Sequence, residues 1–535
     1  MKEHVIEFKP SGRRATCVAG TTILDCCREN QIQISSTCGG QGKCRSCKVR
    51  IKKGIVSDPT ENETKRLLSI ELERGWRLAC QARPAGDLVV YLPADSSLIS
   101  TPAFKPELLG KIVADSKGRR LRNAHGVAID LGTTKIAGYL LNLCDGSILS
   151  SCAAANPQAV YGDDVISRIT FAMGSKANGQ KLKNTATRAI DGLILELAGM
   201  AGCKPATITG AAVCGNTAMH HLLMGLPVGQ LARAPYLPWS KDSINIDANR
   251  LGFKSIPGAS VYSLPIIGGY VGGDHVAVLV AVGALDIVET TLIVDIGTNT
   301  EISLAAGGNI TSVSCASGPA FEGGHIKFGM KASAGAIDKI TIKDGKVKYR
   351  TIAGARPVGI CGSGMLDAVA QMVAEGIVDS SGRLDRGHPL IRARGGKVEI
   401  LIAGGDKSVD GEDIVITQGD IRELQLAKAA IRTGINVLLK SAGIVPTCVR
   451  RIIIAGTFGN YIDIKSAVRV GMLPDLPMRR FSQVGNAAGA GTCMTLVSAA
   501  AREKAETIAR RVHYLELADR PDFMELFVKA LNIGR

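Results

Sequence analysis

Two segments of this chain repeat one pattern, and the duplication limits the possible folds more than any other feature. Residues 126–141 read GVAIDLGTTKIAGYLL, and residues 291–306 read TLIVDIGTNTEISLAA. In each, an apolar strand ends near an aspartate, a Gly-Thr turn follows, and a second strand returns. A further correspondence comes after each copy, VCGNT at 213–217 and IAGTFGN at 454–460. Two copies of one supersecondary unit predict two related α/β halves.

Paired hairpins of this kind suit the binding of phosphates. A tip made of Gly and Thr presents backbone N–H groups and hydroxyls to phosphate oxygens. An aspartate at the end of the preceding strand, here Asp130 or Asp295, can hold a hydrated magnesium ion, which prefers oxygen ligands. A single hairpin would more simply be an ordinary turn. Two copies at matching positions instead predict a clamp for a nucleotide in a cleft between the halves.

Three further glycine-rich loops are candidates for the same cleft. Residues 359–373 (GICGSGMLDAVAQMV) open a predicted helix, whose N-terminus favours anions. Residues 455–461 (AGTFGNY) and 485–491 (GNAAGAG) would let the backbone approach a planar group such as adenine. The sequence lacks the pattern G-x-x-x-x-G-K-[ST], which excludes a P-loop ATPase. An amphipathic helix predicted over residues 416–439 is expected to pack between the halves.

Other polar residues have less specific surroundings. Two aspartates and Arg168 within residues 157–169 favour the start of a structural helix over a lining of the cleft. His220 and His221 lie on an apolar predicted helix, which favours satisfied core or surface histidines over ligands. Paired glycines before Asp274 favour a loop in the cleft.

Four cysteines mark the N-terminal part as a unit of its own. Cys38, Cys44 and Cys47 follow a C-x5-C-x2-C pattern in CGGQGKCRSC, and Cys80 comes after 32 further residues. Thiolates are the ligands that iron–sulfur clusters need, and four of them hold a two-iron cluster. A zinc site usually shows two C-x2-C pairs, and structural disulfides require a secreted chain, so both alternatives are weaker.

The residues around these cysteines predict a small mixed fold. Residues 5–8 and 16–18 form a predicted hairpin, a short helix follows, and residues 48–51 and 88–92 form predicted strands. This part resembles a plant-type or adrenodoxin-type ferredoxin domain with the four cysteines as ligands. Arg45 departs from that pattern, in which Gly is frequent, and sets a positive charge beside the cluster.

Composition excludes several classes of protein. A length of 535 residues predicts several domains. The net charge of +16 is scattered with little aromatic interleaving, which argues against nucleic-acid binding. The longest run without charged residues, 205–232, is rich in polar residues and glycine, so we expect no membrane span. Fifteen cysteines without a visible signal peptide predict a reducing cytoplasm.

Taken whole, the chain resembles the reductive activators of corrinoid proteins. The motifs that carry the resemblance run in order through nearly all of the sequence and include RLACQ, AIDLGTTKIAGYL, NPQAVYGDDVISRI, GNTAMHHLLMGLPV, DIGTNTEI, SGPAFEGGHI, GICGSGMLDAV and AGTFGNYID. The family joins a two-iron ferredoxin domain to an ATPase related to acetate and sugar kinases, heat-shock chaperone ATPases and actin.

The resemblance implies an α/β multidomain fold. An N-terminal β-grasp ferredoxin-like α+β domain would be followed by duplicated RNase H-like lobes of the actin and chaperone type. The expected boundaries are a ferredoxin-like domain at 1–94, a linker at 95–124, ATPase lobe I at 125–285 and ATPase lobe II at 286–535.

The resemblance also implies roles for individual residues. The expected metal ligands are Cys38, Cys44, Cys47 and Cys80, and the expected catalytic residues are Asp130 and Asp295, either of which could position the attacking water. The expected nucleotide-binding residues are Gly132, Thr133, Thr134, Gly297, Thr298, Asn299, Gly362, Gly364, Gly456 and Gly459. The implied cofactors are a 2Fe-2S cluster, ATP and Mg²⁺.

The implied activity is the reduction of inactive Co(II) to Co(I) in the corrinoid protein of a methyltransferase system. A low-potential donor would supply the electron, and each ~59 mV of uphill transfer would cost about 1.4 kcal/mol. Our hypothesis is that nucleotide-driven closure of the lobes alters docking while the cluster domain swings on a tether at residues 93–122. A homodimer through the ATPase lobes is compatible with the resemblance. The alternatives are a small-metabolite kinase and a ferredoxin-type electron carrier that does not hydrolyse ATP.

Overall fold

The structure is a computed structural model that describes most of the chain. It covers residues 3–9, 12–30, 32, 34, 40–42, 47–67, 69–92, 108, 110–115, 124–394, 396–409, 411–456, 458–459 and 461–534. Cys38, Cys44, Arg45 and most of the expected tether lie outside the described residues.

The N-terminal domain is built on a five-stranded sheet. Its strands are β1 (Glu3–Lys9), β2 (Arg13–Val18), β3 (Lys48–Lys53), β4 (Trp76–Leu78) and β5 (Leu88–Tyr91), and its helices are α1 (Ile23–Glu29), α2 (Glu61–Arg66) and α3 (Ser69–Glu73). The strand order is β2-β1-β5-β3-β4, with β1 and β2 antiparallel and β1 and β5 parallel. Thr22 caps α1 by accepting from the Asp25 N–H. The predicted hairpin, helix and two strands are all present.

The first ATPase half contains one six-stranded sheet. Its strands are β6 (His125–Leu131), β7 (Lys135–Asn142), β8 (Ile148–Ala155), β9 (Ile208–Gly215), β10 (Ile244–Asp247) and β11 (Ser260–Ser263). Its helices are α4 (Val165–Met173), α5 (Lys176–Met200), α6 (Thr217–Met224), α7 (Ala248–Leu251) and α8 (Gly273–Val282). The strand order is β10-β11-β9-β6-β7-β8. Strands β6 to β8 form an antiparallel meander, and β9 pairs parallel to β6.

The second half repeats this arrangement and adds two small sheets. Its strands are β12 (Thr291–Ile296), β13 (Thr300–Ala306), β14 (Asn309–Cys315), β15 (Ala336–Lys343), β16 (Lys346–Thr351), β17 (Gly359–Ile360), β18 (Ile391–Arg394), β19 (Lys397–Ala403), β20 (Ile414–Thr417), β21 (Arg451–Ala455), β22 (Phe481–Gly485) and β23 (His513–Tyr514). The main sheet has the order β22-β21-β12-β13-β14-β23. A meander of β12 to β14 with β21 parallel to β12 matches the first half, so the predicted duplication is confirmed.

The remaining helices divide between the outside of the second sheet and the space between the sheets. They are α9 (Gly362–Ala374), α10 (Gln418–Ser441), α11 (Ile464–Arg469), α12 (Ala487–Val497), α13 (Ala499–Arg511) and α14 (Phe523–Leu531). The long helix α10 packs within the core of the second half and against α14, so the expectation that it lies between the halves is wrong.

Helices α8 and α12 instead fill the space between the two six-stranded sheets. They share one core with residues from both sheets, including Ala128 and Ile453. A Cβ on Gly491 would lie 1.9 Å from the carbonyl oxygen of Ala277, so this close crossing requires glycine. Glycines of the 485–491 loop, which we expected near adenine, are therefore used in part for helix packing.

Part of the expected linker is attached to the ATPase halves. Leu108 and Ile112 are buried in the core between the sheets. The Asp115 carboxylate accepts hydrogen bonds from the Ser498 hydroxyl (2.7 Å) and the Ala499 N–H at the start of α13. Within the part of the chain that the structure describes, no helix is long and apolar enough to cross a membrane.

Candidate functional site

The tips of the two repeated hairpins meet at the centre of the ATPase halves. The hydroxyl oxygens of Thr134 and Thr298 lie 3.1 Å apart. Both hydroxyls also donate to one carboxylate, that of Glu322, at 2.9 Å from Thr134 and 2.6 Å from Thr298. The two predicted phosphate loops therefore face each other, and Glu322 joins them.

The first hairpin is held from behind by residues 156–168. The Asn156 side chain donates a hydrogen bond to the tip carbonyl of Gly132 at 2.9 Å, and the Asn156 N–H donates to that of Thr134 at 2.9 Å. Arg168 donates to the carbonyl between them, that of Thr133, at 2.6 Å. In a trans peptide the C=O and the following N–H point in opposite directions. The N–H groups of Thr133 and Thr134 are thus turned away from this support, as phosphate binding requires.

Arg168 is fully buried beneath the first hairpin. Besides Thr133, it donates to the carbonyl of Gly162 at 2.8 Å and to the Gln158 side chain at 3.3 Å. Burial lowers the pKa of Arg168 to about 10, so the guanidinium stays charged at neutral pH. Asp164 caps α4 as the sequence predicts. Arg168 also supports the tip of the first hairpin through Thr133, which the sequence did not reveal.

The second hairpin has weaker but related support. The Ser317 hydroxyl donates to the carbonyl of Thr298 at 3.3 Å. Gly456 has φ of +91°, and a Cβ there would lie 2.3 Å from the Ile296 carbonyl oxygen and 2.9 Å from a carboxylate oxygen of Asp295. Only glycine fits this position. The backbone at Gly456 therefore lies directly beside the aspartate of the second hairpin.

Four carboxylates lie beneath the hairpins, of which Glu301 is buried and Asp130, Asp274 and Asp295 are partly buried. Burial raises the pKa of Asp130, and it raises that of Asp295 to about 8 with help from the nearby charges of Asp274 and Asp130. Burial likewise raises the pKa of Asp274 to about 7 and that of Glu301 well above its usual range. The sequence favoured a loop at Asp274, but the residue lies in the first turn of helix α8, where its charge still acts on Asp295. Carboxylates kept out of water in this way favour binding of a cation.

Asp130 also receives a hydrogen bond from the second half. The Asn486 side chain, which caps α12, donates to Asp130 at 3.0 Å and lies 3.0 Å from the Tyr139 hydroxyl. Lys135 is largely buried at the start of the returning strand, and burial lowers its pKa to about 8 against the opposing effect of Asp130. The first aspartate is thus held by groups from both halves.

The other predicted glycines lie around the same centre. Gly362 and Gly364 begin α9, where a Cβ would lie 1.8 Å from the Phe321 carbonyl oxygen and 2.2 Å from that of Ile337. A Cβ on Gly459 would lie 2.3 Å from the Ala455 carbonyl oxygen. Close backbone packing alone requires glycine at these three positions, and their contact with a nucleotide stays a prediction.

The sequence left the role of Glu322 undecided and favoured a structural helix start for the segment that supports the first hairpin, although a further signal existed. After β8 comes NPQAVYGD, and after β14 comes SGPAFEGG. Both segments form short 3-10 helices, Pro157–Tyr161 and Pro319–Glu322, that lie beside the hairpin tips. The duplication therefore includes these 3-10 helices as well as the two hairpins and the VCGNT and IAGTFGN segments.

His220 and His221 belong to the core. Both are buried on α6, and His221 donates to the Thr217 carbonyl at 2.8 Å through Nδ1 while Nε2 accepts from the Trp239 N–H at 3.0 Å. This pattern holds His221 neutral. Burial lowers the pKa of His220 to about 3, with a further effect from His221. The prediction of a satisfied histidine holds for His221, whereas Nε2 of His220 is buried without a hydrogen-bond partner among the described residues.

The described half of the cysteine site fits an iron–sulfur cluster. Cys47 and Cys80 are buried in the core of the N-terminal domain. Hydrogen bonds from Cys47, Gln81 and the Gly42 backbone lower the pKa of the Cys80 thiol to about 7, against the effect of burial. A Cβ on Gly42 would lie 2.9 Å from the side chains of Asn62 and Gln81. Adjacent thiols with N–H groups directed at sulfur are what cluster ligation requires.

No group of three or more His, Cys, Asp or Glu side chains able to hold a metal ion occurs among the described residues. Two of the four predicted cluster ligands lie outside them. A magnesium ion on a nucleotide takes most of its ligands from water and phosphate and needs only one or two carboxylates. The partly buried aspartates of the hairpins, Asp130 and Asp295, match that number of carboxylates.

Comparison with known families covers nearly the whole chain. Residues 6–85 match the 2Fe-2S iron-sulfur cluster binding domain, residues 125–286 match the RACo middle region, and residues 289–535 match the C-terminal domain of RACo, the ASKHA domain. The order of these three matches is that of the predicted ferredoxin-like domain and ATPase lobes.

Individual relatives agree with these matches. The corrinoid activation enzyme RamQ of Eubacterium limosum is 29% identical over 96% of both chains. The Co(II) methylated amine-specific corrinoid protein reductase of Methanosarcina barkeri is 25% identical over 68% of both chains. A solved structure described as a reductive activator for corrinoid, iron-sulfur protein has a TM-score of 0.71 and 31% identity, covering 99% of this chain and 98% of that one.

Proposed function

This chain belongs to the family of reductive activators of corrinoid proteins, and we propose that it uses ATP to drive one-electron reduction of Co(II) to Co(I) in a corrinoid protein. The observation that carries this proposal is the meeting of Thr134 and Thr298 across the two ATPase halves, 3.1 Å apart. An ATPase cleft joined to a ferredoxin domain is the combination that uphill electron transfer needs.

The nucleotide phosphates would bind between the two hairpin tips. Support for this comes from the hairpin carbonyls, which accept hydrogen bonds from Asn156 and Arg168 and so turn the Thr133 and Thr134 N–H groups away. Thr298 and Asn299 would act from the opposite side. Gly456 and Gly459 would lie along the adenosine, and Gly362 and Gly364 would present the N-terminus of α9 to phosphate.

Asp130 and Asp295 would hold the magnesium ion and orient the attacking water. Their raised pKa values support this assignment, because a carboxylate that is partly withdrawn from water gains most from a bound cation. Asn486 would keep Asp130 in place. Glu322 would have to give up its two threonine hydroxyls when a phosphate enters between the tips.

When bound, a two-iron cluster held by Cys38, Cys44, Cys47 and Cys80 would supply single electrons at a low potential. The chain would bury the inner side of that site with Cys47 and Cys80 and direct the Gly42 N–H at sulfur. A low-potential electron donor would reduce it.

The partner would be the corrinoid protein of a methyltransferase system, and the domain limits would be 1–94, 95–124, 125–285 and 286–535. We further propose a cytoplasmic location, where the thirteen free cysteines among the described residues would stay reduced. The scattered charge supports the absence of a nucleic-acid partner. A homodimer through the ATPase halves is compatible with this proposal.

A small-metabolite kinase would use the same cleft, and a simple electron carrier would use the same cysteines. Aspartate-to-asparagine variants separate these functions. Asp295→Asn keeps the shape of the side chain but weakens cation binding, so it should lower ATP hydrolysis and ATP-dependent Co(I) formation together, by about 100-fold or more. Phosphorylation of an added metabolite would instead indicate the kinase, and Co(I) formation that survives without ATP hydrolysis would indicate the carrier.

A further inference from the structure

The cluster domain rests on the first ATPase half through Arg28. The Arg28 Nε donates to the carbonyl oxygen of Val160 at 2.7 Å, and the guanidinium lies over the Tyr161 ring, 5.9 Å from its centroid. Asp25 orients the same guanidinium from within α1 at 3.1 Å. The Arg28 side chain is only 18% exposed, so its contacts are largely shielded from water.

The same guanidinium lies beside the loop that carries the predicted cluster ligands. A Cβ on Gly40, two residues after Cys38, would lie 3.5 and 3.6 Å from the two terminal nitrogens of Arg28. Arg28 therefore connects the cluster loop with the surface of the first half. Gly40 therefore lies on the side of the cluster domain from which Arg28 contacts the first half.

The docked domain also contacts the second half. Arg74, which follows α3, pairs with Glu412 at 2.8 Å. Both side chains are about half exposed, so this ion pair adds little stability by itself. Its position matters more than its strength. A domain that touches Val160 on one half and Glu412 on the other cannot keep both contacts if the halves move relative to each other.

The surface that receives Arg28 is directly connected to the first phosphate hairpin. Val160 belongs to the 3-10 helix Pro157–Tyr161, which Asn156 caps through the Gln158 N–H at 3.0 Å. The Asn156 side chain donates to the hairpin carbonyl of Gly132, and Gln158 accepts from Arg168, which donates to Thr133. The first hairpin thus contacts Asn156, and Asn156 contacts the 3-10 helix that contains Val160, the residue to which Arg28 donates.

We propose that the turn Pro157–Tyr161 is a docking site for the cluster domain, with Arg28 as its latch, and that nucleotide binding releases the domain. The proposal rests on the proposed function, since it assumes that ATP binds between the hairpins. A phosphate that enters there displaces Glu322 from Thr134 and Thr298. The resulting shift of the hairpin passes through Asn156 and Arg168 to the turn, and the change between the halves strains the contact at Glu412.

Coupling of this kind is reciprocal. If nucleotide binding weakens docking, then removal of the latch must strengthen nucleotide binding by the same factor. Arg28→Ala should therefore lower the dissociation constant of Mg²⁺-AMPPNP about fivefold, at the lower end of ordinary allosteric couplings. Arg28→Lys keeps the charge but not the planar stacking on Tyr161. Its dissociation constant should therefore lie between those of the wild type and Arg28→Ala.

Small-angle scattering of the full chain with its cluster provides the structural readout. The wild type should expand when Mg²⁺-AMPPNP is added, and Arg28→Ala should be expanded with or without the nucleotide. Tyr161→Leu keeps the contact with Phe171, whose ring lies 4.8 Å away, but removes the stacking surface from the opposite side of the interface. It should reproduce the effect of Arg28→Ala, and the double variant should add little to either.

Arg14→Ala is the matched control, because Arg14 lies in the same domain and pairs only at the exposed surface with Glu7. It should match the wild type in scattering and affinity. The inference is wrong if the wild type binds the nucleotide without expanding, or if Arg28→Ala leaves the dissociation constant unchanged. A wild type that binds no nucleotide would instead overturn the proposed function, and the inference with it.

Discussion

The hydroxyl oxygens of Thr134 and Thr298 lie 3.1 Å apart, although the two residues are 164 positions apart in the sequence. Each belongs to the tip of one copy of a repeated hairpin. The shared carboxylate of Glu322 holds the two tips together from the side of the second half. The duplication in the sequence thus places two equivalent hairpin tips, the predicted phosphate loops, face to face.

Removal of the charge on Glu322 should strengthen nucleotide binding. The carboxylate lies where phosphate oxygens are expected, and two like charges a few ångströms apart repel each other strongly in a partly buried site. Glu322→Gln should therefore lower the dissociation constant for ATP about tenfold, which corresponds to about 1.4 kcal/mol. Equilibrium binding of a fluorescent ATP analogue measures this. The exposed Glu375→Gln is the control, and unchanged or weaker binding by Glu322→Gln would contradict our interpretation of its position.

The buried ion pair between Arg77 and Glu63 should stabilise the cluster domain. Arg77 forms two hydrogen bonds with Glu63, at 2.9 and 2.8 Å, and Glu63 also accepts from the backbone of Thr60 and Leu78 at 2.9 Å. Arg77→Met would leave a buried carboxylate unpaired and should cost about 3–5 kcal/mol. Arg14→Met, which breaks an exposed pair, should cost less than about 1 kcal/mol. Thermal loss of the cluster absorption band compares the two variants.

The same ion pair should make the stability of the cluster domain depend on pH in the acid range. Burial alone would raise the pKa of Glu63, but hydrogen bonds from Arg77, Thr60 and Leu78 outweigh it and hold the pKa below 4.5. The stabilisation is therefore complete above the ordinary pKa and is lost as the pH falls below it. Equal losses of stability in Arg77→Met and Arg14→Met would show that the buried pair has no special role.

His220 should make the first ATPase half less stable in acid. Burial lowers its pKa from 6.5 to about 3, so below pH 6.5 the unfolded chain binds a proton that the folded chain does not. At about 1.4 kcal/mol per pH unit, the free energy of unfolding should fall by about 2 kcal/mol between pH 6.5 and pH 5. In His220→Phe this contribution is absent, so the wild type should lose more stability than the variant over that range. Parallel urea titrations that show identical pH dependence would refute the assignment.

The cysteine ligands should be distinguishable from the buried structural cysteines. Cys80→Ala removes a predicted ligand, and the purified chain should lose its two irons and the visible absorption of the cluster. Cys27 is as deeply buried in the same domain, but it lies outside the predicted ligand set. Cys27→Ala should keep the full iron content. Iron and acid-labile sulfide assays check both variants, and a cluster that survives in Cys80→Ala would require another ligand.

Local chemistry explains why much of the fold was predictable. An apolar strand, an aspartate and a Gly-Thr turn encode a hairpin within about fifteen residues, so both copies were recognisable without tertiary information. The same holds for the capped helix α10, whose bounds Gln418–Ser441 follow the predicted span 416–439 closely. Its location was mispredicted because an amphipathic pattern specifies a buried face but not the partner that covers it.

Glu322 and Arg168 could not be identified in the same way. Each acts through contacts with residues far away in the sequence, Thr134 for Glu322 and Thr133 for Arg168. Glycine was ambiguous for a related reason. The missing side chain of Gly456 lets the backbone lie beside Asp295, whereas that of Gly491 lets a neighbouring helix pack closely. Both residues lie in similar glycine-rich segments, so the sequence does not distinguish the two uses.

The most direct test of the central claim is an anaerobic assay of Co(I) formation. The chain with its cluster, a low-potential reductant and a Co(II) corrinoid protein are mixed with and without Mg²⁺-ATP, and the Co(I) absorption is recorded. We expect Co(I) only with ATP, and its loss in both Cys44→Ser and Asp295→Asn. Co(I) formation of equal extent without ATP, or in Cys44→Ser, would contradict the account. So would steady ATP hydrolysis without Co(I) across a panel of corrinoid proteins.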